Sequence, residues 1–492
     1  GARLRTERDY YQQALALARI MDDSATVAHS LNRLGNWYLN VEQPHEALRC
    51  HQEALTTFGR LNDRHGLAET LDLLGMASYL SGDLIQSTAY YQQAVALFRE
   101  LDEREGLISS LVTLMLCCGN YQTETLVPAA TSWDEARQLG ELALKIAREI
   151  GQRSGEAYAL RAIGQCLGFR GEYAQALGLA QDSLRVAEEI GHRQWMAAGH
   201  WVLGALYLDL LVLPTAQQHL EQAVTLAQES GSLFWIRTTT GFLAKTHMLQ
   251  HDLAQAESLL TTALDPDTPS QTLGQRIVWY ARAELALARD DPHLALHITD
   301  QLLASSSLSS ESSIPGLAKL RGETLTKLKQ AAEAEMILQK ARATALKHGL
   351  RPLLWRIDLT QGKIAHSQRR YEEAERRFAA TQEILEDLAS SLPDEILQQH
   401  FLQHAHALFP RTRQPSPHRL TKKTFEGLTQ RERAVAALIA RGKSNREIAD
   451  ELVVAPRTIE THISSILSKL DFTSRTQIAI WATEKGLSND AI

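Results

Sequence analysis

Small and apolar residues recur along this chain with a period near forty. Leu34-Gly35 and Tyr38 lead to Ala47 and Ala54, Leu74-Gly75 to Ser87 and Ala94, Ile163-Gly164 to Ala176 and Ser183, and Leu203-Gly204 with Tyr207 to Ala216 and Ala223. Ala244, Gly322 and Gly362 open three further copies. In each copy the second small position lies 12 residues after the first, and the third 7 beyond that. The second positions are Ala47, Ser87, Ala136, Ala176, Ala216, Ala256, Ala295, Ala334 and Ala374. Apolar residues at three-and-four spacing, such as Leu226 and Ala227 after Ala223, continue each copy as a helical stripe. Turn-like triplets, Ser81-Gly82-Asp83 and Arg170-Gly171-Glu172, divide the copies internally. The pattern predicts two helices per copy, crossing where side chains are small. One pair cannot bury its apolar face alone, so neighbours must stack into a superhelix.

Two stretches depart from the period. The step from Ser87 to Ala136 is 49 residues rather than 40, which adds a segment around Tyr121 to Trp133 (YQTETLVPAATSW). Its composition reads as a solvated bulge between repeats. SSSLSSESS, Ser305 to Ser313, reads as a mobile low-complexity connector.

The offsets resemble those of tetratricopeptide repeats: Leu-Gly-x-x-Tyr, then small residues 12 and 19 positions after the Gly. The resemblance runs from about residue 7 to 390, with Tyr10 to Arg19 as a half repeat. The copies exceed the usual length of about 34 residues and lack the closing Pro. The resemblance implies about nine repeats within residues 1–409. Such a region serves either as a scaffold or, as in large bacterial regulators, as a sensor.

The last sixty residues follow another pattern. Thr429 with Glu432, and Ser444 with Glu447, have the spacing of capping boxes, in which each side chain satisfies the other residue's backbone amide. Val435, Leu438 and Ile439 give the first helix an apolar side, and Gly442 suits its end. Ile448, Ala449 and Leu452 do the same for a short second helix. Pro456 fits the first position of a third helix, so two short helices are joined by a tight turn, as in a helix-turn-helix. The third helix, Pro456 to Leu470, has two faces. Ile459, Ile463, Ile466, Leu467 and Leu470 form an apolar stripe; Arg457, Glu460, Thr461, Ser464 and Ser468 lie opposite. A polar, short-chained face can enter a DNA major groove and present donors and acceptors to base edges. Glu460 cannot pair with phosphate but can accept from the cytosine N4 amine. Lys443, Arg446, Lys469 and Arg475 surround this face as candidate phosphate ligands, and Ser444, Asn445 and Thr458 can add neutral phosphate hydrogen bonds at helix starts. A fourth helix runs from Ser474 to Lys485.

These residues resemble the LuxR-type helix-turn-helix. The match lies in Leu428-Thr429, Arg431-Glu432, Ile439-Ala440-x-Gly442, Ser444-Asn445-x-Glu447-Ile448-Ala449, Thr458-Ile459-Glu460-x-His462, Lys469-Leu470 and Arg475. The resemblance implies a four-helix domain, residues 426–492, that reads double-stranded promoter or operator DNA as a homodimer. It puts Ile478, Ala479, Ile480 and Trp481 at the dimer contact. Ala455 departs from the family, which commonly has a Ser capping the third helix; the missing cap costs about 1 kcal/mol.

Charge supports the division. The chain carries −7 overall, yet residues 411–492 hold 14 Lys+Arg against 9 Asp+Glu. A basic end on an acidic body suits a DNA-binding module on a carrier that does not itself bind DNA. Between them, residues 410–425, with Pro415, Pro417 and several basic side chains, read as a flexible basic linker. The fold class expected is all-α: a tetratricopeptide-like superhelix followed by the four-helix domain.

No phosphate-binding loop, nucleophile elbow or His-Glu-x-x-His motif occurs, so no enzyme activity and no cofactor are expected. His293 with His297, and His400 with His404, sit at i, i+4 spacing without an obvious third ligand and read as solvated helix faces rather than metal sites. The cysteines, Cys50, Cys117, Cys118 and Cys166, read as reduced core thiols of a cytoplasmic protein. No apolar run has the length of a membrane span and no signal peptide is read at the start. The chain opens at Gly1 without Met. Regulators that join such a head to long repeats include large ATP-binding activators, so either a nucleotide-binding domain precedes Gly1 or this regulator works without one. The expected function is a sequence-specific transcription regulator whose repeats take up a small-molecule inducer or a protein, with RNA polymerase as a further partner. The alternative is a protein-interaction scaffold whose head does not bind DNA.

Overall fold

A residue in the left-handed region marks most of the turns between successive helices. Asp22, Glu42, Asn62, Gly82 and Asp102 follow one another at twenty-residue intervals, and Gly151, Gly171, Gly191, Leu211, Gly231 and His251 continue the series. This conformation ends a helix by letting the backbone N–H groups just past the end reach back to its last carbonyls. At Asp102, for example, the N–H of Asp102 reaches Arg99 O and that of Glu103 reaches Phe98 O. Helix starts are fixed by acceptors: Asp23, Asp63, Asp83, Asp252 and Asp291 each accept backbone amides of the following turn.

The computed structural model describes residues 2–126, 132–306, 314–410, 428–452, 454–485 and 487, and every regular element among them is helical. Two units are distinguished, residues 1–408 and 409–492. In the first, α1 (Ala2–Ile20) precedes nine helix pairs: α2 (Ser24–Asn40) and α3 (Pro44–Leu61), α4 (Arg64–Leu80) and α5 (Leu84–Leu101), α6 (Arg104–Leu116) and α7 (Trp133–Glu149). The series goes on with α8 (Arg153–Arg170) and α9 (Tyr173–Glu189), α10 (Arg193–Asp209) and α11 (Leu213–Ser230), α12 (Leu233–Leu249) and α13 (Leu253–Ala263). It closes with α14 (Leu273–Ala288) and α15 (Pro292–Ala304), α16 (Pro315–Lys327) and α17 (Ala331–Lys347), α18 (Arg351–Ser367) and α19 (Tyr371–Ser390), followed by α20 (Glu395–Ala407).

The nine second small positions all lie on the second helix of a pair and are fully or almost fully buried. The glycines of the first helices serve a related purpose. A Cβ on Gly35, Gly75, Gly204, Gly322 or Gly362 would fall within 3 Å of the residue sixteen positions later: His51, Tyr91, Leu220, Leu338 or Phe378. The space left by each glycine is thus filled by a large side chain of the paired helix. At Gly164 the backbones themselves approach most closely among these glycines, with Ala176 O 3.1 Å from such a Cβ, and at Gly204 Ala216 O lies 3.4 Å away beside Leu220.

The superhelix completes a turn in about five pairs, so distant repeats meet. Glu42, between α2 and α3, pairs with Arg237 on α12. Arg351 on α18 bonds Glu172 at 2.8 Å and the Arg170 carbonyl at 3.2 Å. His400 Nε2 lies 3.1 Å from Leu211 O, and His404 Nδ1 2.9 Å from His400 O, so this histidine pair is held by backbone carbonyls.

The insertion corrects the reading of a solvated bulge. Residues 120–123, 125 and 126 are buried, and Tyr121–Thr123 form a single 3-10 turn. Arg170 donates to Gly119 O, Gln165 to the Gln122 side chain, Tyr121 OH to Asp209, and Arg276 Nη2 to Thr125 O at 2.7 Å. The segment therefore runs along the first helices of successive repeats, inside the superhelix. Tolerating it there requires that its backbone polar groups be satisfied, which Arg170 and Arg276 do. Residues 127–131, and 307–313 of the serine-rich connector, lie outside the described residues. So does the expected linker beyond Pro410.

All four cysteines are buried. The aromatic pairs Phe234-Trp235 and Trp279-Tyr280 contribute Trp235 and Tyr280 to the interior. Among the described residues no helix is long and apolar enough to cross a membrane.

Candidate nucleic-acid interface

The second unit is built from α21 (Gln430–Ala440), α22 (Asn445–Glu451), α23 (Pro456–Leu470) and α24 (Arg475–Glu484). Capping boxes start three of them: Thr429 with Glu432, Ser444 with Glu447, and Ser474 with Gln477. Gly442, at φ 79°, follows the end of α21. The third helix starts at Pro456, and Ala455 before it makes no side-chain cap, as its methyl group requires. Leu428, Val435, Leu438, Ile439, Ile448, Ala449, Ile459, Ile466, Leu470, Ile478 and Trp481 form one core, with Leu452, Ile463 and Leu467 packed against it.

The core faces one side of α23 and leaves the other bare. Arg457, Thr458, Glu460, Thr461, Ser464 and Ser468 are all exposed. Thr461 Oγ1 donates to Arg457 O and Ser464 Oγ to Glu460 O, each at 3.0 Å. Those hydroxyls spend their protons on the helix, so in this rotamer they present lone pairs outward, together with the Glu460 carboxylate. Glu460, Thr461 and Ser464 thus present acceptors, which match the exocyclic amines of adenine and cytosine, while Arg457, Thr458 and Ser468 keep donors.

The expected phosphate rim divides in two. Lys443 and Arg446 stand at the start of α22, Lys443 half-buried with its ammonium 3.9 Å from Glu451 and Arg446 exposed; Ser444 is exposed and Asn445 half-buried. Lys469 and Arg475 have internal tasks. Lys469 Nζ lies 2.7 Å from both oxygens of Glu432, whose side chain is only 5% exposed. Arg475 donates to Asn445 Oδ1 and to Lys443 O, tying the start of α24 to the start of α22. Lys469 retains partial exposure, at 35%, but its charge is first of all the counterion of a buried carboxylate.

Glu432 is the hub that the sequence did not disclose. It closes the capping box with Thr429, and its Oε1 also accepts from Ser465 Oγ at 2.6 Å. Burial acts to raise its pKa, but the hydrogen bonds from Lys469, Ser465 and Thr429 outweigh it and hold the carboxyl at about 2. Arg431, beside it, donates to Leu452 O and so holds the end of α22, at the turn before α23. One signal was available: Ser465 and Lys469 are four residues apart, on the flank of the apolar stripe, where a side chain points at a neighbouring helix rather than at solvent.

Of the four residues expected at the dimer contact, two lie inside the domain. Ile478 and Trp481 belong to the core, so their side chains cannot form an outer surface, and Ala479 is half-buried. Ile480 alone of the four is open, at 56% exposure.

Residues 426–482 match the family described as bacterial regulatory proteins, luxR family, and residues 23–100 and 129–189 match the tetratricopeptide repeat. The transcriptional regulatory protein LiaR of Bacillus subtilis (strain 168) is 50% identical over 64 residues, 13% of this chain and 30% of LiaR. The response regulator protein VraR of Staphylococcus aureus (strain NCTC 8325 / PS 47) is 46% identical over 63 residues, again 13% of this chain and 30% of that protein. The chain thus spans about a third of the length of these curated relatives. Among solved structures, a signal transduction ATPase with numerous domains from Pyrococcus horikoshii, which has a tetratricopeptide repeat sensor, aligns over 68% of this chain and 50% of its own, at 13% identity and a TM-score of 0.36.

Proposed function

We propose that this chain, which carries a LuxR-type helix-turn-helix domain behind a tetratricopeptide-repeat region, is a sequence-specific DNA-binding transcription regulator. In this reading α23 lies in the major groove, with Arg457, Glu460, Thr461, Ser464 and Ser468 facing base edges. Lys443, Arg446, Ser444 and Thr458 contact phosphates, aided by the amide-rich starts of α22 and α23. Asn445, Arg475 and Lys469 act mainly by holding these groups in place. Two heads pair through the open side of α24, around Ile480, and bind two half-sites. The repeat unit is the controlling part: a ligand or protein held by the superhelix decides when the heads engage DNA.

The observation that carries the reading is the division of α23. One face is sealed in the core; the other presents six exposed polar residues. Fluorescence anisotropy of the full chain on promoter fragments, across a salt series, tests it. Affinity should fall linearly on a log–log plot against salt, and Arg457→Ala should weaken binding by about 1–3 kcal/mol without changing the thermal melt. A Lys469→Ala variant is a poorer probe, because it strands the Glu432 carboxylate. Binding that is absent at low salt on every fragment would contradict the proposal.

A further inference from the structure

The insertion sits inside the superhelix as a bound peptide sits in a receptor. Its buried side chains are mostly polar: Asn120, Gln122, Thr123 and Thr125 are all 3% exposed or less. A guanidinium grips each end through main-chain oxygens. Arg170 donates to Cys118 O at 3.4 Å and Gly119 O at 3.2 Å; Arg276 donates to Thr125 O at 2.7 Å and to Thr125 Oγ1 at 3.3 Å. Between them Tyr121 stands edge-on to Phe169 and Phe242, at centroid distances of 5.5 and 6.3 Å, and its OH donates to Asp209. Three residues on, the Glu124 carboxylate lies 3.5 Å from Lys245 Nζ. Tyrosine and arginine anchors joined by specific hydrogen bonds are the make-up of an interface.

The surrounding repeats are shaped to this segment. The three atoms nearest to a Cβ built on Gly316, on α16, all belong to Glu124, the first at 2.5 Å. A Cβ on Gly82 would meet Leu126 first, at 3.2 Å. The segment in turn fixes its own shape. Asn120 and Thr123 close a capping box around the 3-10 turn, Asn120 Oδ1 accepting from Gln122 N and Thr123 Oγ1 from Asn120 N, each at 2.9 Å. The pattern Asn-Tyr-x-Thr-Glu-Thr, residues 120–125, therefore carries both its turn and its contacts. Neighbouring repeats also join directly, as where the hydroxyls of Thr113 on α6 and Tyr158 on α8 meet at 2.7 Å. A cavity of about 320 Å³ lies against Tyr121 and Glu124, and the Glu124 side chain keeps 23% exposure, so this flank of the segment is open.

We propose that the inside of the superhelix is a recognition site for a short turn-forming peptide, that the insertion fills it in cis, and that a protein partner presenting the same pattern takes the insertion's place. An aromatic hydroxyl for Asp209 and a carboxylate three residues later for Lys245 define the partner's segment. The inference rests on the reading of the repeats as the controlling part and names the chemistry of the protein they hold. The chain tethers the resident segment at both ends, which gives it an effective concentration on the order of millimolar. Exchange therefore needs a tightly binding partner or a weakened resident.

Fluorescence anisotropy of a labelled GNYQTETL peptide, residues 119–126, with the full chain tests the site. Tyr121→Ala in the full chain empties the place between Phe169 and Phe242 and should raise affinity for the peptide at least tenfold over the wild type. A peptide with both Tyr121→Ala and Glu124→Ala should bind neither protein. Hydrogen exchange of the wild-type chain with the labelled peptide in millimolar excess should show residues 119–126 losing protection. Equal affinity of the two proteins, equal binding of the doubly substituted peptide, or no saturable binding by a Tyr121→Ala chain that keeps its thermal melt overturns the proposal. Where Tyr121→Ala does not fold, exchange decides: unchanged protection of residues 119–126 in the wild type overturns it too. DNA anisotropy in parallel separates the two readings. DNA binding without peptide binding removes the peptide site alone, whereas peptide binding that leaves DNA affinity unchanged upholds the site and removes its control of the head.

Discussion

At the scale of single residues the head depends on Glu432. Its carboxylate joins the start of α21 to Ser465 and Lys469 of α23, so α23 is held in orientation by one nearly buried anion. The folded pKa of about 2 lies below the value of about 4.3 for an unfolded Glu. The stabilisation, about 3 kcal/mol, is therefore complete above the unfolded value and is lost as pH falls from about 5 towards 2. Hydrogen exchange of residues 428–452 in the full chain should show protection falling over that window. Glu432→Gln should lower protection at neutral pH by a similar amount and flatten the pH dependence. Equal protection in the two proteins at pH 7 would contradict the role given to this residue. Its cap was legible in the Thr429-x-x-Glu432 spacing, but its second partnership was not. That partnership spans 37 residues, and sequence spacing reports only neighbours within one helix.

At the scale of elements the repeat was legible because its signal is steric and local. Where two helices cross, one side must be small, and the small positions recur at fixed offsets. Closely approaching backbones are found at Gly164 and, beside a large side chain, at Gly204; at Gly35, Gly75, Gly322 and Gly362 the glycine makes room for a large side chain of its paired helix. Gly204→Ala places a Cβ 2.5 Å from Leu220 Cγ and should cost about 1–3 kcal/mol. Gly178→Ala, on α9 with nothing within 4 Å, should instead stabilise by up to about 1 kcal/mol. Thermal melts of the two variants should move in opposite directions; shifts of the same sign would contradict this packing account. The insertion misled for a reason of the same kind. Its polar composition looks solvated, yet Tyr121, Glu124 and Thr125 find partners on α10, α12 and α14, some 90–150 residues away. Burial bought by such distant partners leaves no local trace.

At the scale of the whole molecule two units of different chemistry share one chain: an acidic repeat array with a polar, aromatic cavity, and a basic four-helix head. The superhelix is held by contacts that skip about five repeats, such as Glu42 with Arg237 and Arg351 with Glu172. The central claim, that the exposed face of α23 reads base sequence, is tested most directly by selecting DNA from a random pool with the full chain and with Glu460→Gln. The account predicts an enriched motif of two half-sites centred about 10 base pairs apart, with the preference at one position of each half-site altered by Glu460→Gln. A wild-type selection that enriches no motif, or a motif indifferent to changes at both Glu460 and Arg457, would contradict it.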